Sequence, residues 1–150
     1  MLGVRLSLDI GEARIGVART DPDGIMALPL ENVPADERQY LRVAEIAQEC
    51  HAVMIYVGLP LHLNGSEGRT AEKIRHWVAV FSALLPDIPV RFIDERLTTV
   101  SAHQLLGSVG LDSRARKSLV DMQAAVLILE QALEIEKREV TRERNSSDDS

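Results

Sequence analysis

Three carboxylates in this chain sit where a carboxylate is costly or oddly phased. Asp9 lies inside the apolar run Val4-Arg5-Leu6-Ser7-Leu8-Asp9-Ile10, where an ionised group needs a cation or several hydrogen bonds. Taken alone, Asp9 could equally close the turn at Gly11, a common use of Asp beside glycine. Glu95 directly follows residues 90–93, read as a buried strand, and so falls at a strand's C-terminal end, where open α/β sheets place their ligands. The plainer alternative is that Asp94 and Glu95 complement the N-terminus of a helix opening at Thr98-Thr99, for about 0.3–1 kcal/mol. Asp121 precedes Ala124, Ala125 and Ile128 at spacings of three, four and seven. On a helix it shares the apolar face that must pack on a sheet. The helix dipole explains an acid near a helix start but not that phase.

Three carboxylates gathered at one sheet edge repel one another unless positive charge lies between them. Magnesium or manganese fits, because hard cations take oxygen ligands and magnesium uses a few carboxylates plus substrate phosphate. Two such ions, about 3.5–4 Å apart, can activate a water and stabilise the leaving oxygen of a phosphodiester. Basic residues fall near each acid. Arg14 follows Asp9, Arg96 adjoins Glu95, and Arg114, Arg116 and Lys117 precede Asp121; Arg69, Lys73 and Arg75 open a helix after a glycine-bearing loop. Singly these are ordinary surface charges. Together they suit phosphate contacts around a site of acids.

The global charge argues the other way. Seventeen Lys+Arg stand against 23 Asp+Glu, a net charge of −6, and an acidic chain is a poor nucleic-acid binder unless its basic residues share one face. Aromatics at 3% also disfavour single-strand binding by base stacking. The lone indole, Trp77, sits in a helical pattern and reads as packing. His62, alone in a loop, reads as an exposed residue.

These residues have to be positioned by a small α/β fold. A chain of 150 residues with 45% hydrophobic content fits one domain with a full core, here expected over 1–140 with a disordered polar tail at 141–150. Residues 1–10 and 15–19 read as strands joined by the turn 11–14, and residues 25–31 as a third strand after Asp21-Pro22-Asp23-Gly24. Residues 36–50 carry apolar residues at helical spacing. Residues 53–57 form a continuous apolar run, a strand buried on both faces. The loop 58–68 looks mobile, and residues 70–85 return to the helical pattern. After the strand at 90–93 come a helix at 98–106, a break at Gly107-Ser108-Val109-Gly110 and a long helix from about 118 to about 140. This order predicts a mixed five-stranded sheet, an antiparallel meander plus two parallel strands, with helices on both faces.

One cysteine, Cys50, allows no internal disulfide and fits a reducing compartment. At the end of an amphipathic helix it reads as a buried apolar residue. Charged residues interrupt any apolar signal segment near the start, and no stretch has the length of a membrane span. A cytoplasmic protein with no membrane partner is expected.

The blocks Leu8-Asp9-Ile10-Gly11 with Arg14-Ile15-Gly16-Val17-Ala18, Val57-Gly58-Leu59-Pro60 with Asn64-Gly65-Ser66-Glu67-Gly68, Asp94-Glu95-Arg96-Leu97-Thr98-Thr99, and Val120-Asp121 with Ala124-Ala125 resemble, in order, the YqgF/RuvX family. The resemblance implies an RNase H-like fold related to RuvC-type resolvases, with Asp9, Glu95 and Asp121 as the acidic triad. It implies a nuclease maturing the 5′ end of pre-16S rRNA in the bacterial cytoplasm, working on the small-subunit precursor, or else a resolvase of branched DNA such as Holliday junctions. Met122 departs from the family's usual polar residue. Two other classes stay open. The Asp9-Ile10-Gly11…Gly16 block resembles the phosphate loop of actin-like ATPases, which pair two such domains where this chain supplies one. A non-catalytic RNA-binding ribosome-assembly factor would keep the fold but leave the acids without a use.

Overall fold

A computed structural model describes the backbone over residues 2–97 and 113–148, and the side chains of residues 2–96 and 122–143. The helix expected at 98–106 and the break at 107–110 lie outside the described residues. Five strands form one sheet in the order β3-β2-β1-β4-β5: β1 (Val4–Ile10), β2 (Arg14–Thr20), β3 (Ala27–Pro34), β4 (Ala52–Leu59) and β5 (Val90–Asp94). The first three strands are a meander, antiparallel at both pairings. β4 joins β1 and β5 joins β4 in parallel. Helices α1 (Gln39–Glu49) and α2 (Arg69–Ser82) supply the crossovers that parallel neighbours require. The mixed five-stranded sheet expected from the order of elements is the one observed.

Strand alternation divides the chain into two apolar layers. Val4, Leu6 and Leu8 of β1 join Ile55, Val57 and Leu59 of β4 in a core closed by Val43, Ile46 and Ala47 of α1 and Ile74, Trp77 and Phe81 of α2. On the other face Ala18, Tyr56 and Ile93 pack against Ala125, Ile128, Leu129 and Ala132 of the last helix, α3 (Ser113–Asp148). Trp77 is packing, as its helical phase suggested. Its ring lies 5.1 Å from that of Phe81, and its Nε1 donates to Gln39 Oε1 at 2.8 Å. Among the described residues no helix is long and apolar enough to cross a membrane.

Two expectations about element bounds are corrected. The last helix runs to Asp148 rather than ending near residue 140. The polar stretch 141–148 therefore continues it: a helix already anchored by packing propagates one hydrogen bond per residue without a fresh nucleus. Loop 58–68 is not the slack connector its glycines suggested. Gly58 and Leu59 finish β4, and the remainder folds into a tight turn. Leu61 bridges Glu67, the His62 amide donates to the Ser66 carbonyl at 2.9 Å, and the Gly65 amide donates to the His62 carbonyl at 2.8 Å.

The face of β1 turned toward α3 is polar. Arg5 and Ser7, both buried, precede Asp9 in the same row, since alternate residues share a face. Ser7 Oγ donates to the Ala125 carbonyl at 2.5 Å. The Arg5 guanidinium pairs with Glu136 at 3.2 Å and also donates to the Gly3 carbonyl at 2.8 Å. These contacts set the direction of α3: as the helix goes back from Glu136 to Ala125, β1 goes forward from Arg5 to Ser7. Ala125 is fully buried where its carbonyl takes the Ser7 hydroxyl. Ala125→Leu therefore forces the helix away from the strand and should lower unfolding free energy by about 1–3 kcal/mol. Urea denaturation checks this; an unchanged midpoint would mean that the helix has room to spare over β1.

Candidate active site

Asp9 and Glu95 lie at the same end of the sheet, close enough for their charges to act on each other, because β1, β4 and β5 are parallel neighbours that end together. Asp9 is the last α3-facing residue of β1, opposite Gly16 of β2. Glu95 directly follows β5 and opens a short 3-10 turn, Glu95–Leu97. Between them runs the end of β4, where Val57 pairs with Leu8 and Gly58 with Ile93.

Gly58 makes the approach possible. A Cβ built on it would lie 2.6 Å from Glu95 Oε1, 3.1 Å from Glu95 Cγ and 2.5 Å from Ile128 Cδ1. The Glu95 side chain thus occupies the space a larger residue would fill, with α3 closing one side. Sequence reasoning placed Gly58 in a loop and gave it no role. The available signal was a glycine at the end of an apolar run, which marks a close approach when it lies in a strand.

The position is hard on a negative charge. Glu95 is more than half buried, and burial pushes its carboxyl up to about 7, with the charges of Asp9 and Asp94 adding to the effect. Asp94, one residue earlier, points the other way and behaves oppositely. Its carboxylate binds the Arg96 guanidinium at 2.6 Å, which holds it below the usual range. Adjacent acids at one strand end are therefore split, one held down by Arg96 and the other pushed up by burial and by the charges of Asp9 and Asp94. An acid destabilised by desolvation and a neighbouring acid is the arrangement associated with functional carboxylates.

Asp121 lies on α3 one turn before Ala125; its side chain, with those of Arg114, Arg116 and Lys117 on the same helix, lies outside the described residues. Arg14 opens β2, and alternation puts it in the α3-facing row with Gly16 and Ala18. Arg69 and Lys73 are exposed at the start of α2. There they line a shallow cleft of about 470 Å³ with Glu72 and His76, and Lys73 Nζ reaches Glu12 of the β1–β2 turn at 3.8 Å. Two other arginines are differently engaged. Arg75 grips Glu67 at 2.5 and 2.9 Å and lies over the Phe92 ring at 4.6 Å. Arg96 is held by Asp94 and by the carbonyls of the 61–67 turn. Cys50 follows the last residue of α1 and takes an Arg19 Nη1 contact at 3.6 Å.

Comparison with known proteins gives a consistent picture. A family model described as RuvX, Holliday junction resolvase, matches residues 3–135. A relative from Streptomyces avermitilis is 43% identical over 137 residues, covering 90% of this chain and 88% of its own. One from Thermobifida fusca is 43% identical over 145 residues, covering 91% and 90%. Both are named as inferred pre-16S rRNA nucleases. RuvC from Thermus thermophilus, solved with a Holliday junction substrate, superposes with a TM-score of 0.53 at 15% identity over 89% of this chain and 94% of its own. Fowlpox virus resolvase, also solved with Holliday junction DNA, gives 0.51 at 10% identity over 87% and 97%. The fold is RNase H-like.

Two predictions follow from the geometry around Gly58. Gly58→Ala places a methyl group against the Glu95 carboxylate and the tip of Ile128, both of which can yield. The fold should survive with a small loss of stability, while cleavage of nucleic acid falls on the order of a hundredfold if Glu95 moves by about 1 Å. A folded Gly58→Ala chain of wild-type activity would show that the position of Glu95 is not critical. The second prediction concerns pH. The Glu95 carboxyl moves from 4.5 to about 7 on folding, so between these values the native state holds a proton that the unfolded chain releases. Its contribution to stability is complete below pH 4.5 and is lost as pH rises through about 7. In chelator, Glu95→Gln should flatten that decline; an identical pH profile for the two proteins would refute the shift.

Proposed function

The chain belongs to the RuvX family and is a nuclease, a hydrolase of nucleic-acid esters, and on that premise we propose a metal-dependent endonuclease that trims the 5′ end of pre-16S rRNA in the bacterial cytoplasm. The observation that carries the metal dependence is the pairing of Glu95 with Asp9 over Gly58. Two carboxylates whose charges oppose each other at a half-buried strand end suit a small cation, and their oxygens are the hard ligands that magnesium or manganese takes. Asp121 is the third ligand of this reading. Ala125 sits against Ser7, and one turn of helix, about 5.4 Å, is comparable to the two strand residues, about 6.6 Å, that separate Ser7 from Asp9. This spacing is the support for counting Asp121 with Asp9 and Glu95.

When bound, two such cations supply the charge that activates water and stabilises the leaving oxygen of a phosphodiester. The chain's own groups do the rest. Asp9 and Glu95 would hold the cations, and Glu95, whose carboxyl burial pushes up to about 7, would have to be ionised to serve as a ligand. Gly58 leaves the space, and Ile128 walls it from the helix side. Arg14, Arg69 and Lys73, with Arg114, Arg116 and Lys117 before Asp121, are the candidates for the phosphates on either side of the scissile bond.

Two labelled substrates, a 5′ pre-16S rRNA fragment and a four-way DNA junction, test the reading side by side in magnesium, manganese and EDTA. The RNA should be cut with either metal and left intact in EDTA, and Asp9→Asn should abolish cleavage with the fold retained. Preferential cutting of the junction would transfer the function to branched DNA. An Asp9→Asn chain as active as wild type would remove the acids from the chemistry, and RNA binding without any cleavage would favour an assembly factor.

A further inference from the structure

Arg96 stands next to Glu95, where a cation would be expected to face the substrate, yet its hydrogen bonds go to the protein. Nε donates to both Asp94 oxygens at 3.0 Å, and Nη2 donates to Oδ2 at 2.6 Å. Nη1 turns outward to the carbonyls of Leu63 at 3.2 Å and His62 at 3.5 Å. The Arg96 amide also donates to Asp94 Oδ1 at 3.0 Å, so side chain and backbone grip the same carboxylate. The guanidinium therefore joins the end of β5 to a turn that belongs to the β4–α2 connection.

That turn is built to be held. Gly65 has φ +87°, with Arg96 Nη1 3.8 Å from the position of its missing Cβ; Ser66 closes onto Asn64 Oδ1 through its amide at 3.0 Å and its hydroxyl at 2.7 Å. At the other end the Arg75–Glu67 pair ties the turn to α2. With its backbone held on both sides, the turn packs Leu61 against the core and leaves Leu63 97% exposed. A rigid turn that spends its polar groups internally and presents a bare leucine beside an acidic site suits contact with an apolar surface of the substrate. On a nucleic acid that surface is the face of an unstacked base.

We propose that Arg96 is a positioning residue, which clamps the 61–67 turn to the end of β5 so that Leu63 meets an unstacked base next to the scissile phosphate, and that it does not itself bind phosphate. This rests on the nuclease reading above for the identity of the substrate, but the clamp can be tested without it. A fork that binds a carboxylate with one edge and two carbonyls with another cannot be replaced by an ammonium group. Arg96→Lys should therefore behave like Arg96→Gln, although it keeps the charge.

The test uses the full chain and four variants: Arg96→Gln, Arg96→Lys, Leu63→Ser and the double variant Arg96→Gln/Leu63→Ser. Amide hydrogen exchange over residues 61–67 should quicken in both Arg96 variants and stay at the wild-type rate in Leu63→Ser. Affinity for the labelled pre-16S fragment, measured in EDTA, should fall in all four with an unchanged salt slope. Losing a phosphate contact would instead lower that slope by about 1. Single-turnover cleavage should fall by at least about tenfold in each single variant, as for a misplaced substrate, and the double variant should be no worse than the poorer single, because the two act through one contact. Wild-type behaviour of Arg96→Lys, a reduced salt slope, or multiplicative losses would each overturn the proposal. If the wild-type chain binds RNA but does not cut it, the nuclease reading fails, while exchange and salt slope still decide the clamp.

Discussion

The row of polar residues on the α3 face of β1 is the constraint around which the rest of the molecule is arranged. A central strand ordinarily buries apolar residues on both faces, and here one face carries Arg5, Ser7 and Asp9 instead. Buried polar groups are tolerated only when satisfied. Arg5 takes Glu136, with Tyr56 donating to the same carboxylate at 2.5 Å, and Ser7 takes the carbonyl of Ala125. Both partners beyond the sheet lie on α3, so the helix is held in one register along the strand. An apolar interface of the same area would permit sliding by a turn. The polar row does not, and a site shared between strand and helix would need that fixity.

The second half of the site depends on what is missing rather than on what is present. Parallel pairing brings the ends of β1, β4 and β5 level, but their side chains would collide if β4 carried one at position 58. Gly58 removes it, and Glu95 leans into the opening toward Asp9. The cost is electrostatic: a carboxyl pushed to about 7 by burial and by its neighbours is an acid kept in an unfavourable place. Asp94, one residue away, shows the ordinary solution, a short ion pair with an arginine. Glu95, raised by burial and by the charges of Asp9 and Asp94, sits instead in the kind of environment associated with functional carboxylates.

Much of this was legible in the sequence because it followed from periodicity. The meander, both crossovers and the positions of Asp9 and Glu95 at strand ends come from alternation, turn residues and the order of elements, which are local signals. Trp77 was also readable, since its phase in the helix marks it as packing, whereas Cys50, expected to be buried, is only partly so and takes an arginine contact. The direction of α3 over the sheet was not, because it depends on Ser7 and Glu136 finding partners 118 and 131 residues away in sequence. The continuation of α3 to Asp148 was hidden for a related reason, as its polar end borrows stability from the packed middle of the helix. The 61–67 turn looked slack because glycines and polar residues give the same composition to a loose linker and to a tightly hydrogen-bonded turn. Only the partners distinguish them.

Those partners also change how the acidic net charge bears on nucleic-acid binding. Counting charges treats every arginine as available to phosphate, but several here are committed to carboxylates: Arg42 to Glu31 and Glu45, Arg75 to Glu67, Arg91 to Glu139, and Arg96 to Asp94. Each pair cancels within a few ångströms and contributes little field at the distance of a phosphate, because exposed pairs are screened. The field that a nucleic acid meets is set by the residue left over near the site. Arg69 and Lys73 on the exposed start of α2 stand on the side of the sheet where β1, β4 and β5 end, and the long Lys73–Glu12 contact of 3.8 Å is loose enough to yield to a phosphate. An acidic chain can therefore admit a polyanion where exposed basic residues such as Arg69 and Lys73 stand at the end of the sheet that the substrate would approach.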